Sequence, residues 1–145
     1  MTARAIGINH VALEVGDIDE ALAWYARFLE FELRGKRPTM AWIDLGDQFI
    51  ALAAGRSQGP DDDRHFGLVV DDKESVRAVL QDMGVAVAPS GGLRFDDPWG
   101  NQVEIVDYRD VQFSKTPAIL HALAPEGLEK RADARAELER KGLGG

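Results

Sequence analysis

The stretch Asn101-Gln102-Val103-Glu104-Ile105-Val106-Asp107-Tyr108 decides how the chain is read. It follows Asp96-Asp97-Pro98-Trp99-Gly100, whose Asp, Pro and Gly signal a turn. Val103, Ile105 and Val106 around Glu104 predict a strand. A carboxylate in an apolar strand costs on the order of 2–7 kcal/mol unless it is paired or bound to a metal. Glu104 therefore calls for a partner. The chain has three histidines, and two of them, His10 and His65, open the apolar runs Val11-Ala12-Leu13 and Phe66-Gly67-Leu68. Two His and one Glu drawn from three strands would form a 2-His-1-carboxylate set. The competing reading is a solvated Glu on an edge strand beside two half-buried histidines.

Working backwards from this stretch, the pattern occurs twice. Residues 6–15 predict a first strand, with Val11, Leu13 and Val15 on one face and Ile8, His10 and Ala12 on the other. A helix is expected from Asp17 or Asp19 to Phe28, with Ile18, Leu22, Tyr25 and Leu29 as its apolar stripe. Three short strands follow: 31–34 ending at Gly35, then 40–45, then 48–53, the last two joined by a hairpin at Gly46-Asp47. Residues 55–63, rich in Gly, Pro and Asp, read as an exposed acidic linker. The order then restarts. Residues 64–70 predict a strand, and Asp71 or Asp72 caps a helix reaching about Met83 and stopped by Gly84. Residues 85–88 and 93–95 predict two strands before the one bearing Glu104.

Counting fixes the correspondence. His10 and His65 are 55 positions apart, as are Leu13 and Leu68, Val15 and Val70, and Asp17 and Asp72. Near the module ends the shift is 54, which relates Gly46 to Gly100 and Gln48 to Gln102. On that count Ile50 is the counterpart of Glu104. The predicted fold is α+β, two βαβββ modules over residues 5–55 and 64–108 whose curved mixed sheets, side by side, would make one groove or barrel. Neither module alone is long enough to bury a sheet face.

Composition narrows the function. At 145 residues with net charge −8, the chain has no basic stripe for a nucleic-acid backbone. No apolar run approaches a membrane span. With no cysteine, disulfides and thiolate ligands are excluded, which fits a reducing cytoplasm. Residues 111–145 lie outside the repeat as a helical tail. Thr116 should cap a helix beginning at Pro117 and running through Leu123, with Pro125 interrupting. Residues 126–141 should form a solvated helix with Glu126–Lys130 and Glu137–Lys141 pairs, or an arm crossing to a dimer partner, with 142–145 frayed.

The paired modules, Asn9-His10-Val11, His65-Phe66-Gly67 and Asp97-Pro98-Trp99-Gly100-Asn101-Gln102-Val103-Glu104 together resemble the vicinal oxygen chelate superfamily of glyoxalase I, bleomycin resistance proteins and extradiol dioxygenases. The resemblance covers roughly residues 5–110. It implies the groove form of the paired sheets, with a metal site in it: a divalent metal, Fe(II), Mn(II), Zn(II) or Ni(II), held by His10, His65 and Glu104. It also implies a small substrate with vicinal oxygens and a dioxygenase- or lyase-type reaction, with the two modules at a metal drawn from one chain or from two. A homodimer is expected because a monomer would leave each module's outer edge strand, near Ile8 or Phe66, unpaired unless the tail covers it. Its metal-free members bind drugs, and its fosfomycin-resistance enzymes are metal-dependent transferases. The resemblance to glyoxalase I departs at the fourth ligand, where this chain has Ile50, and the histidine left over for an extradiol role, His121, lies in the tail.

Overall fold

Strand β1 (His10–Glu14) forms where alternation and a partner coincide. Its partner is β4 (Phe49–Ala53), in parallel, with His10 opposite Phe49 and Leu13 opposite Leu52. The computed structural model describes residues 2–124 and 127–144. Strand structure was expected from residue 6, but residues 2–9 carry none. Phe49 N reaches back only to Asn9 O (3.3 Å), so β4 offers nothing further upstream except the Gln48 side chain, which donates to Ile8 O (2.8 Å).

The chain divides into two compact units meeting in sequence at Gln58 and Gly59. In the first, α1 (Ile18–Tyr25) starts at Asp17, whose carboxylate accepts from Glu20 N (2.9 Å), with Asp19 and Glu20 in the first turn to suit the dipole. It stops before Phe28 because the last turn tightens: Arg27 and Phe28 bond three residues back, to Trp24 and Tyr25. Ile18, Ala21, Tyr25 and Phe28 are buried with Leu13, Val15, Ala41, Ile43, Ile50 and Leu52. β2 (Leu33–Arg37) and β3 (Met40–Asp44) complete a sheet ordered β1-β4-β3-β2. The hairpin at Gly46 is present; Asp44 accepts from Gly46 N (2.7 Å), and Gly46 takes φ 89°. Strand β2 runs through Gly35 instead of ending there, with a bulge between Leu33 and Gly35.

In the second unit, β5 (His65–Val70), β7 (Gln102–Asp107) and β6 (Leu93–Asp96) form a sheet in that order among the described residues. Helix α2 (Lys73–Asp82) is capped by Asp72, which accepts from Ser75 N and Ser75 Oγ. The strand expected over 85–88 is absent. Val85 N instead closes the helix onto Leu80 O, and Ala88 N donates to Arg94 O (2.9 Å). Pro89 then has no N–H to give, and Gly91 and Gly92 both turn at positive φ.

The acidic linker is less free than its composition suggests. The Asp61 side chain is 9% exposed and pairs with Arg64 (2.7 Å), while Asp61 N donates to Gly100 O. In the tail, α3 (Pro117–Leu123) begins at Thr116 as expected. The later helix, α4 (Ala132–Arg140), starts six residues after 126 and is not simply solvated, because Ala134 and Leu138 are buried. Lys130 Nζ donates to Tyr108 O (2.8 Å) and Phe113 O (2.6 Å) and lies 3.5 Å from the Tyr108 ring centre. Glu137 pairs with Lys141, and Gly142 closes the helix at φ 70°. Pro125, Glu126 (with its expected pairing to Lys130) and Gly145 lie outside the described residues.

The register of the two sheets corrects the repeat. Val11 pairs with Ile50 and Ala12 with Ala51; Phe66 pairs with Val103 and Gly67 with Glu104. Since Ala12 and Gly67 differ by 55, Ala51 and not Ile50 is the counterpart of Glu104. Ile50 is 2% exposed on the core face. The shift of 54 that relates the two turns becomes 53 on the strands after them.

Candidate metal centre

Alternation along β5 and β7 places Phe66, Leu68, Val103 and Ile105 towards the core and His65, Gly67 and Glu104 on the opposite face. His65 Nε2 stands 3.8 Å from Glu104 Oε2, with the side chains 35% and 25% exposed. His65 Nδ1 is 2.8 Å from Asp63 O. A carbonyl only accepts, so Nδ1 carries the hydrogen, and in the neutral ring Nε2 keeps its lone pair. Two electron-rich atoms thus face one another across a gap that a cation or proton would bridge. Such an orienting bond at the far ring nitrogen is the usual support of a metal-binding histidine.

Two neighbours shape the carboxylate. Arg94, opposite Glu104 in the register of β6 and β7, puts Nη2 3.2 Å from the same Oε2, while its own Nε is buried without a hydrogen-bond partner. Gly92, at φ 101°, leaves room; a Cβ there would lie 3.0 Å from Glu104 Oε1. Glu104 is therefore neither deeply buried nor unpaired. Arg94 was not foreseen beside it, because only the strand register brings them together.

His10 belongs to the first unit. Its ring stacks on Phe49 with centroids 4.6 Å apart and planes within 5°, and Nδ1 is 2.8 Å from Asn9 Oδ1. As at His65, an oxygen from just upstream in the chain occupies Nδ1 and leaves Nε2 available. The structure thus brings His65 and Glu104 together and gives His10 the same local support in its own unit. Among the described residues no group of three His, Cys, Asp or Glu side chains stands in metal-holding geometry.

The turn before Glu104 is structural. Asp97, 4% exposed, accepts from Trp99 N (3.0 Å), Asn101 N (2.9 Å) and Asn101 Nδ2 (2.8 Å). Gly100 takes φ 88°, and a Cβ there would meet the Pro60 backbone at 2.5 Å. The Asp-Pro-Trp-Gly-Asn sequence thus fixes the turn that leads into β7.

Two α+β units that share a strand–helix–strand order, each with a histidine opening its first strand, define a paired-module protein with its polar side chains on the sheet faces turned away from the core. The family model of the Glyoxalase/Bleomycin resistance protein/Dioxygenase superfamily matches residues 7–105, and the chain belongs to that superfamily. Three solved structures show the same fold. A protein from Bacillus anthracis assigned to the glyoxalase family is 22% identical at a TM-score of 0.60, over 74% of this chain and 98% of that one. A lactoylglutathione lyase from Agrobacterium tumefaciens is 22% identical at 0.55, over 73% and 96%. The fosfomycin resistance protein FosX from Listeria monocytogenes, complexed with Mn(II) and sulfate ion, is 15% identical at 0.60, over 70% and 92%. No helix among the described residues is long and apolar enough to cross a membrane.

Proposed function

We propose that the protein is a divalent-metal-dependent enzyme acting on a small substrate with vicinal oxygens, with His10, His65 and Glu104 as the metal's protein ligands. The observation that carries this reading is the facing of His65 Nε2 and Glu104 Oε2 at 3.8 Å, with the imidazole oriented by the Asp63 carbonyl. A divalent ion held by three side chains keeps open positions and supplies Lewis-acid polarisation of a coordinated substrate oxygen. The chain's own residues prepare that place. Asp63 and Asn9 orient the imidazoles, Gly67 leaves the sheet face open beside Glu104, and Gly92 admits the carboxylate. Dioxygenase and lyase chemistry both fit such a site. The working form is a homodimer.

A second reading, a metal-free protein that sequesters a drug, draws support from Arg94. Its guanidinium already neutralises the oxygen that a metal would take. Metal analysis separates the two. Protein purified without chelators should carry about one tightly held divalent ion per site, because the binding free energy of such ions is large. It should lose that ion in His65→Ala. Protein that takes up no Fe(II), Mn(II), Zn(II) or Ni(II) on titration supports the drug-binding reading instead.

A further inference from the structure

The sheet face that carries His10 also carries an open trough of about 400 Å³ lined by Arg34, Gly35, Lys36, Arg37, Trp42 and Phe49. Its construction depends on one extra residue. In regular alternation Arg34 and Arg37 would point to opposite faces of β2. The bulge makes Leu33 pair with Ile43 and Gly35 with Trp42, so Arg34 is the additional residue between them. A bulge re-aims a side chain, and Arg34 comes to lie over Phe49, its Cζ 4.4 Å from the ring centre. Arg37, opposite Met40 on the face that carries Trp42, lies 5.8 Å from the Trp42 ring. Gly35 has no side chain to fill the space between; a Cβ there would touch Trp42 at 3.4 Å.

Both arginines are exposed, and among the described residues neither has a carboxylate partner. Lys36 differs. It pairs with Ala41 on the helix side and its Nζ meets Asp19 at 2.7 Å. In a chain of net charge −8, two unneutralised guanidiniums beside one trough are a local reversal of sign. Each is held at an aromatic ring, which leaves its N–H edge for a planar oxyanion.

We propose that the bulged strand β2 builds an oxyanion site, in which Arg34 and Arg37 take the carboxylate or phosphate group of a small organic anion over Phe49 and Trp42. The molecule that fills it is the substrate only insofar as the enzyme assignment above holds. The site itself requires no metal.

The test is isothermal titration of metal-free protein with benzoate and with inorganic phosphate, which distinguishes an aromatic carboxylate from a free phosphate. Binding by the wild type should weaken about tenfold or more in Arg34→Ala and in Arg37→Ala, the scale of a lost charge-assisted pair. It should persist in Arg77→Ala, which removes a positive charge from helix α2 in the other unit. Arg34→Lys, keeping charge without the fork, should fall between. No binding of either anion, or an equal loss in Arg77→Ala, overturns the site. His65→Ala separates the two readings. It should abolish metal uptake and leave anion binding intact, whereas anion binding that needs loaded metal and vanishes in His65→Ala would place the anion on the metal and overturn the proposal.

Discussion

Ala51 stands in the first unit where Glu104 stands in the second, each opposite the third residue of its neighbouring parallel strand, Ala12 or Gly67. The adjacent Ile50 faces the core. The two positions should therefore answer very differently to a carboxylate. Ile50→Glu buries an unpaired charge and should lower stability by about 3–5 kcal/mol. Ala51→Glu enters the face shared with His10, where Ala51 is itself only 5% exposed, and should cost about 1–3 kcal/mol through crowding. Urea unfolding of both variants measures this, and equal losses would contradict the register.

The ligand assignment predicts that His10→Ala, His65→Ala and Glu104→Ala each lower divalent-metal affinity by at least about 10- to 100-fold, since a three-ligand site has none to spare. His121→Ala, in the exposed tail helix, should bind metal as the wild type does. Mixing His10→Ala with Glu104→Ala in a subunit-exchanging dimer should restore a complete site only if the two modules at a metal come from different chains. Unchanged metal retention in all three single variants would falsify the assignment.

Arg94 and a metal would compete for Glu104 Oε2. Removing the guanidinium in Arg94→Ala should tighten divalent-cation binding several-fold. Calorimetric titration of the variant gives the ratio directly. Weaker binding would assign Arg94 a supporting role at the carboxylate instead.

Acid should remove a stabilising contact at the end of β7. The Asp107 carboxylate, 4% exposed, accepts from Arg109 Nε and Nη2 at 2.7 Å and from Arg109 N at 2.9 Å. Hydrogen bonding to the Arg109 side chain, against the opposing effect of burial, lowers its pKa from 3.8 to about 2. A carboxylate with a folded pKa below its unfolded one stabilises fully above about pH 4 and loses that contribution as pH falls through about 2. The amount is about 2 kcal/mol. Stability measured from pH 5 to 2 should fall less steeply in Asp107→Asn than in the wild type. Parallel curves would refute the linkage.

Lys130 ties α4 to the residues after β7 through two carbonyls and the Tyr108 ring. Lys130→Ala should take the charged donor from the exposed Phe113 carbonyl and from the part-buried Tyr108 carbonyl, which keeps Val111 N, at a cost of about 1–3 kcal/mol. Amide hydrogen exchange across residues 132–140 should speed up, with β5 and β7 unaffected. Protection that stays the same would mean that Ala134 and Leu138 alone hold the helix.

What the sequence disclosed was local or repeated. The Thr116-Pro117 start of α3, the Asp17 and Asp72 caps and the Gly46 hairpin each depend on residues within one turn, and each is found. His65 and Glu104 were also legible, because a polar residue in an apolar alternation stands out. Features that depend on a partner strand were not. Residues 6–9 alternate like the rest of β1 but meet their neighbour through the Asn9 carbonyl and, by way of the Gln48 side chain, the Ile8 carbonyl, without a ladder, and residues 85–88 alternate but run into Pro89 and two glycines. The placement of Ile50 against Glu104 failed because the count across a turn does not reveal that the following strands shift by one more residue. Arg94 beside Glu104 and Arg34 over Phe49 needed the register and the bulge before they could be seen.

The bulge in β2 has a consequence for how such a protein could change. Leu33 and Gly35 keep their partners on β3, Ile43 and Trp42, whichever way the residue between them turns. Deleting Arg34 would restore plain alternation at the open edge of the sheet and leave the buried side chains of β3 and β4 in register. Insertion or loss of a single codon there would switch a positive charge on or off above Phe49. Ligand preference would then be stored in the length of an edge strand, where selection can alter it without touching the residues that keep the unit folded.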